Sequence, residues 1–296
     1  MSSCPVFRFA PSPNGLLHPG HAVSALYAFR AAQRAKGRFL LRIEDIDPLR
    51  CRPHFEQAIY EDLKWLGLKW EEPVRRQSEH MKAYAQALNT LKDMELLYPC
   101  FATRSEIRQA VSSQTSPSRD PDGAPLYPGL CKSLSPARRR EYLKSGKAFN
   151  LRLDMPRAIA LAEEKTGRPI CFQEHGSGPE GEQGRLCISP KIWGDVIIAR
   201  KDIPTSYHLS VVVDDALQGI THVTRGQDLF YATPIHALLQ TLLDLPTPLY
   251  RHHGLVRDET GRRLSKSARD ISLRALRENG MTPDDILKRW AEDLLA

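Results

Sequence analysis

The hydrophobic and polar positions at the start of the chain predict a strand, a loop, a helix and a second strand. An apolar segment at 6–9 leads into a loop rich in Pro and Gly, and apolar residues at helical spacing follow over 22–36. Gly37 provides a stop for this helix, and a second apolar segment then covers 39–43. Two strands joined through a helix are expected to be parallel, with a right-handed crossover.

The pattern changes in the middle of the chain. Amphipathic helices are predicted to begin at Pro53 and Ser78, and a loosely patterned region then runs from Leu97 to about Gly146. Short apolar segments alternate with turns after this region, which predicts a β-rich inserted subdomain. Its strands are expected over 149–153, 169–172, 184–189 and 195–199.

The last third of the chain has a tighter pattern. A buried strand is predicted from Tyr207 to Asp215 and another over 220–226, followed by a helix that Asp228 would cap and that would end at Leu245. Two short helices are expected in the tail. We therefore predict an α/β fold in two halves, separated by an insertion and followed by a loop and a helical tail. These four parts would cover residues 1–96, 97–194, 195–250 and 251–296.

The composition indicates a globular protein. Hydrophobic residues make up 41% of the 296 positions, and no apolar segment approaches the ~20 residues that a membrane-spanning helix needs. The first residues lack the charged and apolar regions of a signal peptide, so we expect a cytoplasmic protein. The six cysteines lack the dense spacing of a secreted disulfide scaffold and are expected to be mostly reduced. A net charge of +7 is compatible with a nucleic-acid partner.

The loop after the first strand carries chemistry suited to anions. It contains His18, Gly20 and His21 directly before the helix. Free amide groups and the positive end of a helix dipole favour phosphate, and imidazoles can contact phosphate oxygens. Gly20 would let a planar base lie close to the backbone. The tetrapeptide alone is a weak motif, but the strand before it and the helix after it favour a nucleotide site.

Six segments, in the same order, closely resemble the catalytic domain of glutamyl-tRNA synthetases. The matching segments are Arg8-Phe9-Ala10-Pro11-Ser12-Pro13, His18-x-Gly20-His21, Arg42-Ile43-Glu44-Asp45, Tyr207-His208-Leu209 with Val211 to Asp215, Gly219-Ile220-Thr221-His222-Val223 with Arg225-Gly226, and Arg263-Leu264-Ser265-Lys266-Ser267. The resemblance implies a class I synthetase with a Rossmann-like parallel sheet, an inserted α+β subdomain and a short helical C-terminal tail. It also implies activation of glutamate with ATP.

The resemblance further implies a site for L-glutamate. Its residues would be Arg8, Phe9, Ala10, Pro11, Ser12, Glu44, Tyr207 and Arg225. Glutamate presents carboxylates and an ammonium group, so a selective site should supply arginines, a carboxylate and hydroxyl donors. These residues have that chemistry. The structural alternative is a set of ordinary ion pairs and a core tyrosine.

For ATP, which would bring Mg²⁺ with it, the resemblance implies a site made from both ends of the chain. Its residues would be His18, Gly20, His21, Ser265 and Lys266. His18, His21 and Lys266 would be the catalytic residues: the histidines would stabilise the phosphates and Lys266 the departing pyrophosphate. No covalent protein nucleophile is needed, so catalysis would depend on positioning and charge stabilisation.

The short stretch of chain after Lys266 suggests the acceptor of the activated glutamate. Only residues 267–296 remain, too few for the helical anticodon-binding region of the full-length enzymes. The chain therefore resembles the shortened paralogues of the family, which implies transfer of glutamate, activated without tRNA, to the queuosine base at the wobble position of tRNA(Asp). Two alternatives stay open: a truncated synthetase that charges a tRNA 3′ end, and a non-catalytic tRNA-binding paralogue. We expect a monomer with no membrane partner.

The inserted region carries an incomplete zinc motif. Family members with zinc there have Cys-x-Cys followed by Tyr-x3-Cys. Here Cys100, Tyr127 and Cys131 match, whereas Ala102 stands in place of the second cysteine. Because structural zinc normally takes four protein ligands, we expect a degenerate site without zinc. Weak binding by the three remaining residues, or binding completed by water, is the alternative.

Overall fold

A computed structural model describes residues 4–257 and 271–290 of the chain. Its strands are β1 (Val6–Phe9), β2 (Arg38–Ile43), β3 (Glu71–Arg76), β4 (Leu97–Cys100), β5 (Asn150–Leu153), β6 (Phe172–Glu174), β7 (Gly184–Leu186), β8 (Ile197–Ala199), β9 (His222–Gly226) and β10 (Leu249–His253). Its α-helices are α1 (Pro19–Arg34), α2 (Pro53–Trp65), α3 (Met81–Asp93), α4 (Arg104–Ser112), α5 (Pro136–Lys144), α6 (Met155–Thr166), α7 (Tyr207–Leu217), α8 (Thr233–Leu242), α9 (Leu273–Glu278) and α10 (Pro283–Trp290). Short 3₁₀ helices cover Gln77–His80, Pro190–Trp193 and Gln227–Ala232.

The main sheet has seven strands in the order β3-β2-β1-β9-β10-β6-β7. Neighbouring strands from β3 to β6 are parallel, and β7 pairs antiparallel with β6 at one edge. Helix α1 connects the parallel strands β1 and β2, as the hydrophobic pattern predicts. The predicted α/β fold with a parallel sheet is confirmed.

Hydrophobic side chains cover both faces of this sheet. On one face, Val23 and Leu26 of α1 pack with Ile59 and Leu63 of α2 and with the tail helices. On the other face, α3, α6, α7 and α8 form a second cluster around Leu209. A parallel sheet buried on both sides keeps water away from its backbone, so ligands reach it at the strand ends.

The sequence-based prediction for residues 207–215 is wrong. It forms helix α7, not a strand, and the amide of Ser210 donates to the carbonyl of Ser206 at 2.9 Å. Residues 209–215 are all buried, so the helix has no polar face and shows no helical period. The three valines at 211–213 also have high strand propensity, so the sequence pattern of this segment is that of a buried strand.

The strand pairing differs from the predicted division of the chain. A small antiparallel sheet contains β4, β5 and β8. However, β6 and β7, inside the predicted insertion at 97–194, belong to the main sheet, and β8 lies beyond the predicted end of the insertion. Because long-range partners decide which sheet a short strand joins, local patterns cannot place these segments. The boundaries at 97, 194 and 250 stay predictions.

One smaller expectation needs correction, and the expectation of mostly reduced cysteines gains a detail. The carboxylate of Asp228 does not cap α8, because that helix begins at Thr233 without a side-chain cap. One pair of cysteines, Cys171 and Cys187, forms a disulfide across the β6–β7 hairpin, whereas the other four thiols are free. Antiparallel pairing of these strands brings the two sulfurs together.

In the described ranges, no helix has the length and apolar character needed to cross a membrane.

Candidate active site

A cleft of about 450 Å³ opens at the carboxyl ends of β1 and β9. These strands are neighbours, but the chain continues to β2 on one side and to β10 on the other, so the cleft lies where the strand order reverses. It is lined by all eight residues predicted to hold glutamate, together with His21. Its other lining residues, which the sequence interpretation does not include, are Asn14, Ser24, Thr224, Gly226, Asp228 and Leu229.

Arg8 on β1 forms one wall of the cleft and is held by a carboxylate. Its Nε lies 3.0 Å and its second terminal nitrogen 3.4 Å from the two carboxylate oxygens of Asp215 on α7. The other terminal nitrogen donates to the carbonyl of Thr224 at 3.3 Å. The Arg8 charge is therefore compensated by direct contact inside the protein.

Glu44, just after β2, supplies the carboxylate of the cleft. The buried side chain of Arg42 donates to it at 3.3 Å and to Asp215 at 2.8 Å. Burial raises the pKa of Glu44 above its ordinary value, although the positive charges of Arg42 and Arg8 oppose this shift. A ligand ammonium group at this position would restore the preference for the ionised form.

Arg225 on β9 is the second arginine of the cleft, and its environment differs from that of Arg8. Its nitrogens donate to Thr233 Oγ1 at 2.6 Å, to His236 Nδ1 at 3.0 Å and to His252 Nε2 at 3.2 Å. Within the described parts of the chain, it forms no ion pair. A buried guanidinium that contacts only neutral partners retains N–H groups and charge for an anionic ligand.

The remaining predicted glutamate-site residues come from two places. Phe9 ends β1, and Ala10, Pro11 and Ser12 follow in the loop, which the amide of Glu44 fixes by donating to the carbonyl of Pro11 at 3.0 Å. Tyr207 is the first residue of α7, and burial raises the pKa of its hydroxyl group. It therefore enters the cleft from a helix start, not from the predicted strand.

His18 and His21 cap the start of α1. The amide of Gly20 donates to His18 Nδ1 at 3.1 Å, and the amide of His18 donates to His21 Nδ1 at 3.2 Å. Each Nδ1 is an acceptor, so each neutral ring carries its hydrogen on Nε2 and presents a donor there. The first amides of α1 therefore already have acceptors inside the cap, and the expectation that this helix start binds phosphate stays a prediction.

Gly20 packs closely against the His18 ring within this cap, so a larger residue would displace that ring. A Cβ at this position would lie 2.9 Å from Cε1 of His18, closer than real Cβ contacts allow. The two histidine rings lie 3.8 Å apart between centroids. Of the predicted ATP-site residues, Ser265 and Lys266 lie outside the described residues.

The residues of the incomplete zinc motif form a small buried cluster. Cys100 donates to the hydroxyl oxygen of Tyr127 at 3.4 Å, and Cys131 Sγ accepts from the amide of Phe101 at 3.2 Å. The methyl side chain of Ala102 has no atom that could coordinate a metal. Across residues 4–257 and 271–290, no group of three or more His, Cys, Asp and Glu side chains is placed to hold a metal. This set therefore does not fit a four-ligand zinc site.

Comparison with known proteins agrees with this arrangement. Residues 6–290 match the family described as tRNA synthetases class I (E and Q), catalytic domain. A glutamyl-Q tRNA(Asp) synthetase of Rhodobacter capsulatus is 46% identical over 95% of this chain and 98% of its own length. A glutamate–tRNA ligase of Aquifex aeolicus is 37% identical over 94% of this chain, which spans 54% of that relative.

A solved structure supports the same assignment. The glutamate–tRNA synthetase of Elizabethkingia anophelis superposes with a TM-score of 0.73 at 26% identity, over 94% of this chain and 54% of that one. Both the family match and the first relative extend over nearly the whole chain. We conclude that the chain belongs to the class I tRNA synthetase family for glutamate and glutamine, and that it corresponds to the catalytic domain of that family.

Proposed function

We propose that this protein activates L-glutamate with ATP, without tRNA, and then esterifies the glutamate to the queuosine base at the wobble position of tRNA(Asp). The observation that carries the proposal is the cleft, in which two buried arginines and one buried carboxylate face the same space. This set of charges complements the carboxylates and the ammonium group of glutamate.

In the first step, an oxygen of the glutamate α-carboxylate attacks the α-phosphorus of ATP, and pyrophosphate leaves. Arg225 binds a substrate carboxylate, and Glu44 binds the ammonium group. Arg8 adds a second positive charge to the wall of the pocket. His18 and His21 donate from Nε2 to phosphate oxygens. Lys266, which lies outside the described residues, stabilises the departing pyrophosphate. These groups accelerate the reaction by positioning and by charge stabilisation.

The ATP site is supported by the cap of α1. His21 lines the same cleft as the predicted glutamate-site residues, which supports a role for its imidazole near the reacting carboxylate. The lack of a side chain at Gly20 leaves the His18 ring in place beside the backbone. Mg²⁺ bound to ATP shares the negative charge of the phosphates, and we assign it no protein ligand.

In the second step, a hydroxyl group of the queuosine cyclopentenediol attacks the activated carbonyl carbon, and AMP leaves. The full-length match to the glutamyl-Q tRNA(Asp) synthetase of Rhodobacter capsulatus supports this acceptor. The match to the Aquifex aeolicus ligase favours a second candidate, in which glutamate is esterified to the 3′ end of a tRNA.

Mapping the label distinguishes the two acceptors. We expect that incubation with ATP, labelled glutamate and tRNA(Asp) transfers the label when the tRNA contains queuosine and not when it contains guanosine at that position. Nuclease digestion should then recover the label on the anticodon fragment. Label on the 3′-terminal adenosine would contradict the proposed acceptor and support a truncated glutamyl-tRNA synthetase.

A further inference from the structure

The hydrogen bonds of Arg225 continue into the protein and end at a buried carboxylate. Nε of Arg225 donates to Nε2 of His252, and Nδ1 of the same ring lies 2.5 Å from Oε2 of Glu174. The three residues are 6%, 1% and 2% exposed, so solvent cannot replace these bonds. They extend across three strands of the sheet, from β9 through β10 to β6.

The hydrogen-bond partners of the imidazole fix the position of its hydrogen. Nε2 faces the Nε–H donor of Arg225 and also lies 3.2 Å from Thr233 Oγ1, which can donate or accept. Nε2 accepts from Arg225, so the hydrogen lies on Nδ1 and is donated to Glu174. Burial lowers the pKa of His252 to about 4, although the hydrogen bond to Glu174 opposes this shift, and the ring is neutral near pH 7. Burial alone would raise the pKa of Glu174, but hydrogen bonds from His252 and Gly176 hold it below its ordinary value.

The backbone keeps Glu174 in place. Its Oε1 accepts from the amides of His252 at 2.9 Å and Gly176 at 2.7 Å. A side chain at Gly176 would put Cβ 2.2 Å from the carbonyl oxygen of His252, so only glycine fits between the carboxylate and β10. The carboxylate therefore has one orientation, and that orientation directs the His252 ring.

A second imidazole holds Arg225 from the other side. Nδ1 of His236 accepts from Arg225 at 3.0 Å, and its Nε2 lies 3.2 Å from Nδ1 of His208. Burial, together with the Arg225 charge, keeps the pKa of His236 well below its ordinary value. Both imidazoles thus act as neutral acceptors, and they orient the guanidinium without neutralising it.

The contrast with Arg8 suggests what this arrangement achieves. Asp215 contacts Arg8 directly and occupies two of its nitrogens. A carboxylate in direct contact with Arg225 would compete with the substrate carboxylate for the same N–H groups. With one neutral imidazole between them, Glu174 compensates the buried charge of Arg225 from a distance and leaves the remaining N–H groups to the ligand.

We propose that Glu174 is the counter-charge of Arg225, acting through the neutral ring of His252, and that both are positioning residues for the arginine that binds the substrate carboxylate. This inference depends on the proposed function for its kinetic consequence. The hydrogen-bond arrangement itself can be tested without substrate.

The substitution Glu174→Gln changes the hydrogen bonds while keeping the shape of the side chain. The glutamine oxygen would keep the backbone amides as donors, which turns its NH₂ group toward Nδ1 of His252. The ring must then move its hydrogen to Nε2, which faces the N–H of Arg225 and Thr233 Oγ1, so Nε2 can no longer accept from Arg225. In ATP–pyrophosphate exchange, we expect the KM for glutamate to rise about tenfold or more, with kcat changed less than about threefold and the KM for ATP unchanged.

Nitrogen-15 NMR of the histidines provides a readout that a merely structural role would not change. The His252 signals, assigned with the variant His252→Gln, should show the Nδ1–H tautomer in the unmodified protein between pH 6 and pH 9. In the Glu174→Gln protein they should show the Nε2–H tautomer. A charged ring or the Nε2–H tautomer in the unmodified protein would overturn the proposal, as would a glutamate KM within about twofold of normal in Glu174→Gln.

Tyr98→Phe is a matched control for lost stability. It removes a buried hydrogen bond to the carboxylate of Asp195 at 2.6 Å, in the small sheet and away from the cleft. We expect a lower unfolding temperature with an unchanged glutamate KM. If the protein activated no amino acid, the proposed function would fail, and the tautomer of His252 would still decide whether Glu174 and Arg225 are linked.

Discussion

Replacing Arg225 by leucine should lower kcat/KM for glutamate in ATP–pyrophosphate exchange by about 10² to 10³-fold. Removing one partner of a buried charged contact costs about 2–5 kcal/mol, and each 1.4 kcal/mol corresponds to about tenfold. The substrate would then place a carboxylate beside His236 and His252 without the Arg225 cation, and Arg8 is already paired with Asp215. Steady-state exchange at saturating ATP measures this loss. Arg225→Lys should recover little, because an ammonium group cannot match the geometry of the guanidinium bonds to Thr233 and both rings.

A suitable control is Arg152→Leu, which removes another buried arginine. Arg152 is 9% exposed and donates to the backbone oxygen of Asp195 at 2.6 Å in the small sheet. Loss of stability without loss of glutamate activation is expected for this variant. Equal loss of exchange in both variants would indicate that the effect of Arg225→Leu is unfolding and would contradict its assignment to substrate binding.

Glu44→Gln should weaken glutamate binding and remove part of the pH dependence. A neutral amide cannot compensate the substrate ammonium group, so kcat/KM for glutamate should fall by about 30-fold or more. In the unmodified protein the pKa of Glu44 is raised by burial. As the pH falls through that raised pKa, the carboxylate gains a proton and loses its attraction for the ammonium group. The profile of kcat/KM against pH should therefore decline on the acidic side above the ordinary pKa of about 4.3.

The Glu44→Gln profile should lack this acidic decline. Glu71→Gln is the matched control, because Glu71 is an exposed carboxylate that pairs with Arg38 at 2.6 Å, and neither residue lines the cleft. We expect this control to leave both kcat/KM and its pH profile unchanged. An unaltered acidic decline in Glu44→Gln would assign the titration to a different group.

That the residues predicted to bind glutamate would line one cleft could be foreseen from the sequence, because their motifs lie at the ends of elements that the fold brings together. Arg8 and Arg225 are 217 positions apart in the sequence, yet β1 and β9 are neighbours in the sheet. The resemblance to glutamyl-tRNA synthetases indicates that these two strands belong to one sheet, which the local sequence patterns alone do not show. Parallel strands joined by helices then require that their carboxyl ends share one edge.

The surroundings of Arg225 could not be predicted in the same way. Glu174 lies in a three-residue strand inside the predicted insertion, and no local pattern predicts β10, which carries His252. Both are polar residues in short apolar segments, and such residues usually indicate an exposed face of a strand. Their burial depends on the pairing of β6 with β10, a long-range contact that leaves no local signal.

Helix α7 shows a different limit. Asp214 and Asp215 are adjacent, and they form hydrogen bonds with different partners because neighbouring helical residues point about 100° apart. Asp215 binds Arg8 and Arg42, whereas Asp214 binds Arg75, Gln77 and Tyr84. The sequence predicts two acidic residues at a strand end. The helix instead places one carboxylate beside the cleft and the other in the core between β3 and α3.

The most direct test of the proposed chemistry is amino-acid-dependent ATP–pyrophosphate exchange in the absence of tRNA. Glutamate, glutamine and aspartate would be compared at equal concentrations with the same enzyme preparation. We predict exchange with glutamate and little with glutamine or aspartate. Arg225 retains N–H groups and charge for the side-chain carboxylate of glutamate, which glutamine lacks and which aspartate holds one methylene closer to its backbone. Exchange that prefers glutamine or aspartate, or no exchange with any amino acid, would contradict the proposed activation of glutamate.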